Sequence, residues 1–144
     1  MASGSRAFAF TASLIAAVFA STILRAAEPV ATVEIVNSSV RTLIFRASSG
    51  FQGRFETPLP ETLAQGERSH AELRAGFPGS QGGGFRYGAP GAGECDFGFL
   101  RLRGAGGEWL PPTVRASGSG GANCRAEVTA MERGGGFSVR FTIE

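Results

Sequence analysis

Two cysteines, each placed after a glycine-rich stretch and at the head of an alternating run, most constrain what this chain can fold into. YGAPGAGEC ends at Cys95 and is followed by DFGFLRL; ASGSGGANC ends at Cys124 and is followed by RAEVTAM. Alternation with a period of two puts successive side chains on opposite faces of a strand. Glycine-dense segments favour turns and loops. Each cysteine therefore marks the point where a loop delivers the chain into a strand, on the face that looks inward.

The amino terminus sets the chemical setting of those thiols. Arg6 is the only early charge, and Ala7 to Leu24 (AFAFTASLIAAVFASTIL) is uncharged and mostly apolar. A basic residue, an apolar run and small residues after it predict a helical signal peptide over residues 1–27, with cleavage after Ala20, Ala26 or Ala27. Retention of the run as an anchor is the alternative reading. Its length of ~18 residues lies at the lower limit for a span, and four Ser or Thr residues interrupt it. Export predicts a secreted or periplasmic protein in which Cys95 and Cys124 form one disulfide. The bridge closes a loop of about 30 residues, worth about 3–4 kcal/mol by the chain-entropy account.

Charge is read on the exported part. Removing residues 1–27 takes Arg6 and Arg25 from the 14 basic residues and no acid, leaving 12 Arg against 12 acidic residues. A neutral domain carries no electrostatic footprint for nucleic acid or an anionic membrane. Lysine is absent altogether.

From residue 28 onward the pattern is that of a single β domain. ATVEIVN places Ala31, Val33 and Ile35 on one face; RTLIFR (41–46) is a β-branched and aromatic run; a short strand is predicted at 54–56 and another at 68–74. The stretch from Gly76 to Glu94 is predicted to be mostly loop, with GGFRYG as a short strand inside it. In CDFGFLRL the apolar parity changes from Cys95, Phe97 and Phe99 to Leu100 and Leu102, which predicts a bulge or a crossing between sheets near Gly98. The Pro111–Pro112 pair excludes a central strand there. CRAEVTAM and FSVRFTIE, joined by ERGGG, form the clearest hairpin, with Phe137, Val139, Phe141 and Ile143 inward and Arg140 outward. Seven or eight short strands without a helix predict an all-β, antiparallel two-sheet sandwich with glycine-rich loops.

Catalytic and metal motifs are sparse. DFG at Asp96–Gly98 is not a kinase motif in a chain without lysine, and no phosphate-binding glycine loop ending in Lys is present. His70 and Asp96 are the only histidine and aspartate, but no G-x-S-x-G elbow accompanies them, and His70 is expected to face solvent. Two cysteines and one histidine without a C-x-x-C pair make a poor zinc set, so neither metal nor cofactor is expected. Most glutamates alternate with apolar residues and belong to solvated faces. Asn37-Ser38-Ser39 fits a glycosylation sequon. A transmembrane barrel needs at least eight strands of ~9–11 residues, more than this glycine content allows. Phe97, Phe99, Phe137 and Phe141 have strand periodicity and read as core. Phe77, Phe85, Tyr87 and Trp109 lie in or beside Gly- and Pro-rich segments. They are the candidate binding-surface aromatics, with covering of the sandwich ends as the alternative.

VEIVNSSVRTL, then SSG, then PLPETLAQG resemble the amino-terminal half of aegerolysin-like secreted β-sandwiches over residues 33–66. The resemblance implies a sandwich fold and binding to membrane lipids. The cysteine pair and the Gly76–Glu94 stretch depart from that family's pattern, and no binding residues are carried over. Taken together, the residues predict a non-enzymatic binding module for a protein, glycan or lipid partner. A cytolysin-like lipid binder and a small hydrolase are the alternatives.

Overall fold

The computed structural model of the chain describes residues 28–144, so the signal peptide expected at 1–27 lies outside the described residues. Ten strands follow in order: β1 (Val30–Asn37), β2 (Leu43–Gln52), β3 (Arg54–Thr57), β4 (Thr62–Leu63), β5 (Arg68–Arg74), β6 (Ser80–Gly88), β7 (Glu94–Leu102), β8 (Thr113–Gly118), β9 (Cys124–Met131) and β10 (Phe137–Ile143). They form two five-stranded sheets, β3-β5-β1-β10-β9 (sheet A) and β4-β2-β6-β7-β8 (sheet B). The all-β two-sheet architecture is the expected one. The strand count is higher because short edge pieces such as β4 carry too few residues to show an alternation. Every pairing is antiparallel except one: β1 runs parallel to β10, with Val33 opposite Val139 and Ile35 opposite Phe141.

The alternating runs bury the faces the pattern assigns. Val33, Ile35, Leu73, Phe97, Val139 and Phe141 are fully buried between the sheets. Phe141 packs against Phe97 and Phe85 at centroid separations of 4.8 and 5.1 Å. Asn37, in the segment resembling aegerolysins, is also fully buried. Its Nδ2 donates to the carbonyls of Arg41, Leu63 and Ala64, and its Oδ1 accepts from the Ser39 N–H and Oγ–H. The sequon therefore offers no accessible amide for a glycan.

Two local expectations are corrected. The glycine-dense segment is not mainly loop: β6 lies between β2 and β7 in sheet B. Its inward positions Gln81, Phe85 and Tyr87 supply core side chains, and at Gly83 the Phe51 ring fills the gap, where a Cβ would lie 2.1 Å from it. Nor is there a bulge at Gly98. β7 keeps register with β6 from Ser80↔Leu102 to Gly88↔Glu94, and with β8 over Cys95–Leu100. Inward parity continues from Phe99 to Arg101, while Leu100 and Leu102 simply sit on the outer face.

Cys95 opens β7 in sheet B and Cys124 opens β9 in sheet A; they form a disulfide with Cα atoms 5.7 Å apart. The bond ties the two sheets at the end where β1 finishes. There the turns before β7 and β9 also meet: a Cβ on Gly93 would lie 1.9 Å from the Ser119 carbonyl.

Candidate functional site

The opposite end of the sandwich, where β1 begins, carries the connections β5–β6, β7–β8 and β9–β10. Five large apolar side chains among the described residues are exposed, and four of them are here: Phe77 (58 %), Leu102 (43 %), Leu110 (40 %) and Met131 (59 %). Backbone bonds connect three of them, and the fourth lies on the β9–β10 hairpin. Phe77 bridges Ser80, which pairs with Leu102; the Leu110 N–H donates to the Leu102 carbonyl at 2.9 Å; and Met131 pairs with Phe137 across the β9–β10 hairpin.

Arg101 braces this end from within. It is almost wholly buried, its Nε donates to the Leu110 carbonyl at 2.9 Å, and its Nη1 donates to the Gly136 carbonyl at 2.7 Å. Burial lowers its pKa, while Glu132 opposes that shift. One guanidinium thus joins the β7–β8 loop to the β9–β10 hairpin. Trp109 caps the same junction by lying on Gly135, which has a φ of 101° and whose Cβ would fall 2.5 Å from the indole.

The four candidate aromatics separate accordingly. Phe77 is exposed and Trp109 half-buried, both at this end. Phe85 and Tyr87 are core residues, because the glycine-dense segment is a strand and their parity points between the sheets. Burial raises the Tyr87 pKa, and its hydroxyl donates to the Pro60 carbonyl at 2.5 Å. His70 lies on the outer face of sheet A beside Glu34 (3.7 Å), whereas Asp96 lies on the outer face of sheet B between Arg86 and Arg115. A sheet sandwich separates the two, so they form no catalytic relay.

The second feature is a trough of about 470 Å³ on the outer face of sheet B. Its centre is the cross-strand row Ser49–Gly84–Gly98–Arg115, and the next row towards the apolar end is Gln52–Gly82–Leu100–Thr113. Glycines along the middle of the sheet let neighbouring side chains lie close on the backbone, Leu100 at Gly82 and Ser49 and Arg115 at Gly84. The Arg115 side chain lies over Gly98, where a Cβ would come 2.4 Å from its Nε. Reading residues 76–94 as mostly loop concealed this trough; the signal that points to it is the parity of Gln81, Phe85 and Tyr87, which places Gly82 and Gly84 outward. Arg101 was legible in the same way, as the next inward position after Phe99.

No known family profile matches the chain, and no curated protein matches it. Solved structures do. The structure described as lipid binding protein Nakanori is 11 % identical, covers 81 % of this chain and 71 % of its own, and superposes with a TM-score of 0.63. IP-1A from Alcaligenes faecalis is 10 % identical over 83 % of this chain and 92 % of its own, with a TM-score of 0.55. At these identities what the chain shares with both is the β-sandwich fold.

Proposed function

We propose that the chain is an exported, non-enzymatic binding module that docks on a lipid surface through the end carrying Phe77, Leu102, Leu110 and Met131. The convergence of these four side chains on one end carries the reading. Scattered apolar residues need no explanation, but a gathering of exposed large apolar side chains at one end points to an interaction surface. The lipid-binding name of one structural neighbour supports the choice of ligand. The aegerolysin-like resemblance of residues 33–66 supports it too.

The docking would be apolar in origin. The charges of residues 28–144 balance at 12 against 12. Vesicle flotation should therefore succeed on zwitterionic phosphatidylcholine and change little between low and high salt. Phe77→Ser combined with Met131→Ser removes the two most exposed of these four side chains without touching the core. At roughly 25 cal/mol per Å² of apolar area, the pair should weaken partitioning at least tenfold. Flotation of the double variant equal to that of the unmodified protein would sink the docking assignment.

A further inference from the structure

We propose that the free edge of β9 pairs with β9 of a second copy of this chain, antiparallel and about a two-fold axis at Ala126. β9 ends sheet A, and no strand lies beyond it among the described residues. Just before β9, Asn123 and Glu144 exchange both backbone bonds, at 3.4 and 2.9 Å. Antiparallel pairs alternate between bonded and non-bonded, so Arg125 and Glu127 direct their backbone groups to Thr142 and Arg140. Cys124, Ala126 and Val128 then point theirs out of the sheet edge, where no backbone partner meets them among the described residues. The register shift at Ser138/Val139 leaves Thr129 without an opposite residue, a bulge that ends the regular part of the strand. The regular piece is therefore Cys124–Val128, and Ala126 is its midpoint.

The side chains select a second copy as the occupant. A two-fold at Ala126 sets that residue opposite itself and Cys124 opposite Val128, for about six backbone hydrogen bonds. It also sets Arg125 opposite Glu127 of the other copy, once on each side of the axis, in the close non-bonded position where opposite charges stabilise a ladder. Arg125 touches Glu144 and Glu127 touches Arg140, yet both side chains remain exposed, at 68 % and 60 %. The row His70–Glu34–Arg140–Glu127 ends on an acid at this edge, and Arg125 of the other copy continues its alternation of charge. A two-fold moved by one residue, to Arg125 or Glu127, sets like charges face to face. On the inner face the half-buried Cys124, Ala126 and Val128 gain cover. The remaining edges fit less well: β8 has no acid to answer Arg115, and β3 and β4 hold only four and two residues. Antiparallel pairing turns the two Met131 ends away from each other. Resting on the docking reading above, that geometry makes the dimer a bridge between two lipid surfaces.

Pairing is tested without vesicles, by sedimentation equilibrium of the exported protein with its disulfide intact. An interface this small is transient, so concentrations run up to about 1 mM. The expected result is a mass that rises from monomer to dimer with concentration. Arg125→Glu alone and Glu127→Arg alone each set like charges opposite one another, and each should weaken self-association at least tenfold. Mixed together, the two variants should pair: the introduced glutamate meets the introduced arginine, and the native Glu127 meets the native Arg125. Near-UV circular dichroism checks that each variant is folded. Arg68→Gln, on the outer face of sheet A away from this edge, should dimerise as the unmodified protein does. A monomer at every concentration, a dimer indifferent to either charge reversal, or a mixture of folded variants that fails to pair would each overturn the assignment. Vesicles then read the bridge separately from docking. Glu127→Arg should float as the unmodified protein does but no longer cluster the vesicles. An unmodified protein that dimerises and floats without clustering them would overturn the bridging geometry.

Discussion

Phe141→Ala should cost about 3–5 kcal/mol, because the ring is fully buried and the cavity it leaves is walled by other rings. Phe97, Phe85 and Phe99 stand 4.8, 5.1 and 6.2 Å from it, contributed by β6 and β7 of the facing sheet. These strands are held in place by the disulfide and the sheet ladder, so the gap cannot collapse easily. The measurement is the urea midpoint at unchanged slope. A loss below 1 kcal/mol would mean that the ring is not central to the core.

The neighbouring Arg140 tests the strand's register, but it is not the inert surface residue that its parity alone suggests. It occupies the row His70–Glu34–Arg140–Glu127 across four strands of sheet A. Its Nε donates to Glu34 and its Nη1 donates to Glu127 at 2.9 Å. Arg140→Ala should therefore be measurable yet well below the Phe141 loss. Its cost should also depend on pH. The hydrogen bond from Arg140 is the main reason the Glu34 pKa falls below the ordinary 4.5, outweighing the opposing effect of burial, with the charges of Arg140, His70 and Arg68 adding to the shift. A carboxyl whose folded pKa is depressed contributes stability that is complete above its ordinary value and is lost as the pH falls through the folded value. The difference between Arg140→Ala and the unmodified protein should thus be full at neutral pH and shrink in acid. A difference that grows as the pH falls would contradict the pairing.

Much of this fold was legible because apolar residues on strands with one solvated face alternate. The 124–131 and 137–144 hairpin, the inward cysteines and the core parity of β1 all follow from that rule. It failed where the side chain was missing. A glycine has no polarity to read, so residues 76–94 read as mostly loop with only GGFRYG as a short strand, even though Gln81, Phe85 and Tyr87 share one strand parity across the glycines. The parallel pairing of β1 with β10 joins residues more than a hundred positions apart, and no local signal announces it. The apolar end was half visible: Leu100 and Leu102 broke the parity of β7, and the break marked outward apolar residues where a bulge was expected. What brings Phe77, Leu110 and Met131 to the same end as Leu102 is tertiary, set by three separate connections and by the buried guanidinium of Arg101.

Replacing Cys95 and Cys124 together by Ala should cost about 3–4 kcal/mol, a large share of the stability of a domain this size. The bond spans a sequence separation of 29 residues, and its removal frees the unfolded chain of that closed loop. The folded state contributes as well. Sheet A and sheet B share no strand, and among the contacts that hold them at the β8–β9 side this is the covalent one. Cys95 is fully buried while Cys124 is half-buried, so alanine leaves a small void on the sheet B side and little on the other. The loss should appear mainly as a lower urea midpoint, with the slope rising because an uncrosslinked chain exposes more surface when unfolded. The apolar end lies at the far end of the sandwich and is braced by Arg101, so vesicle flotation of the folded double variant should match that of the unmodified protein. Lost flotation at a temperature where the variant remains folded would show that the two ends are coupled, and the apolar end could then no longer be treated as an independently braced surface.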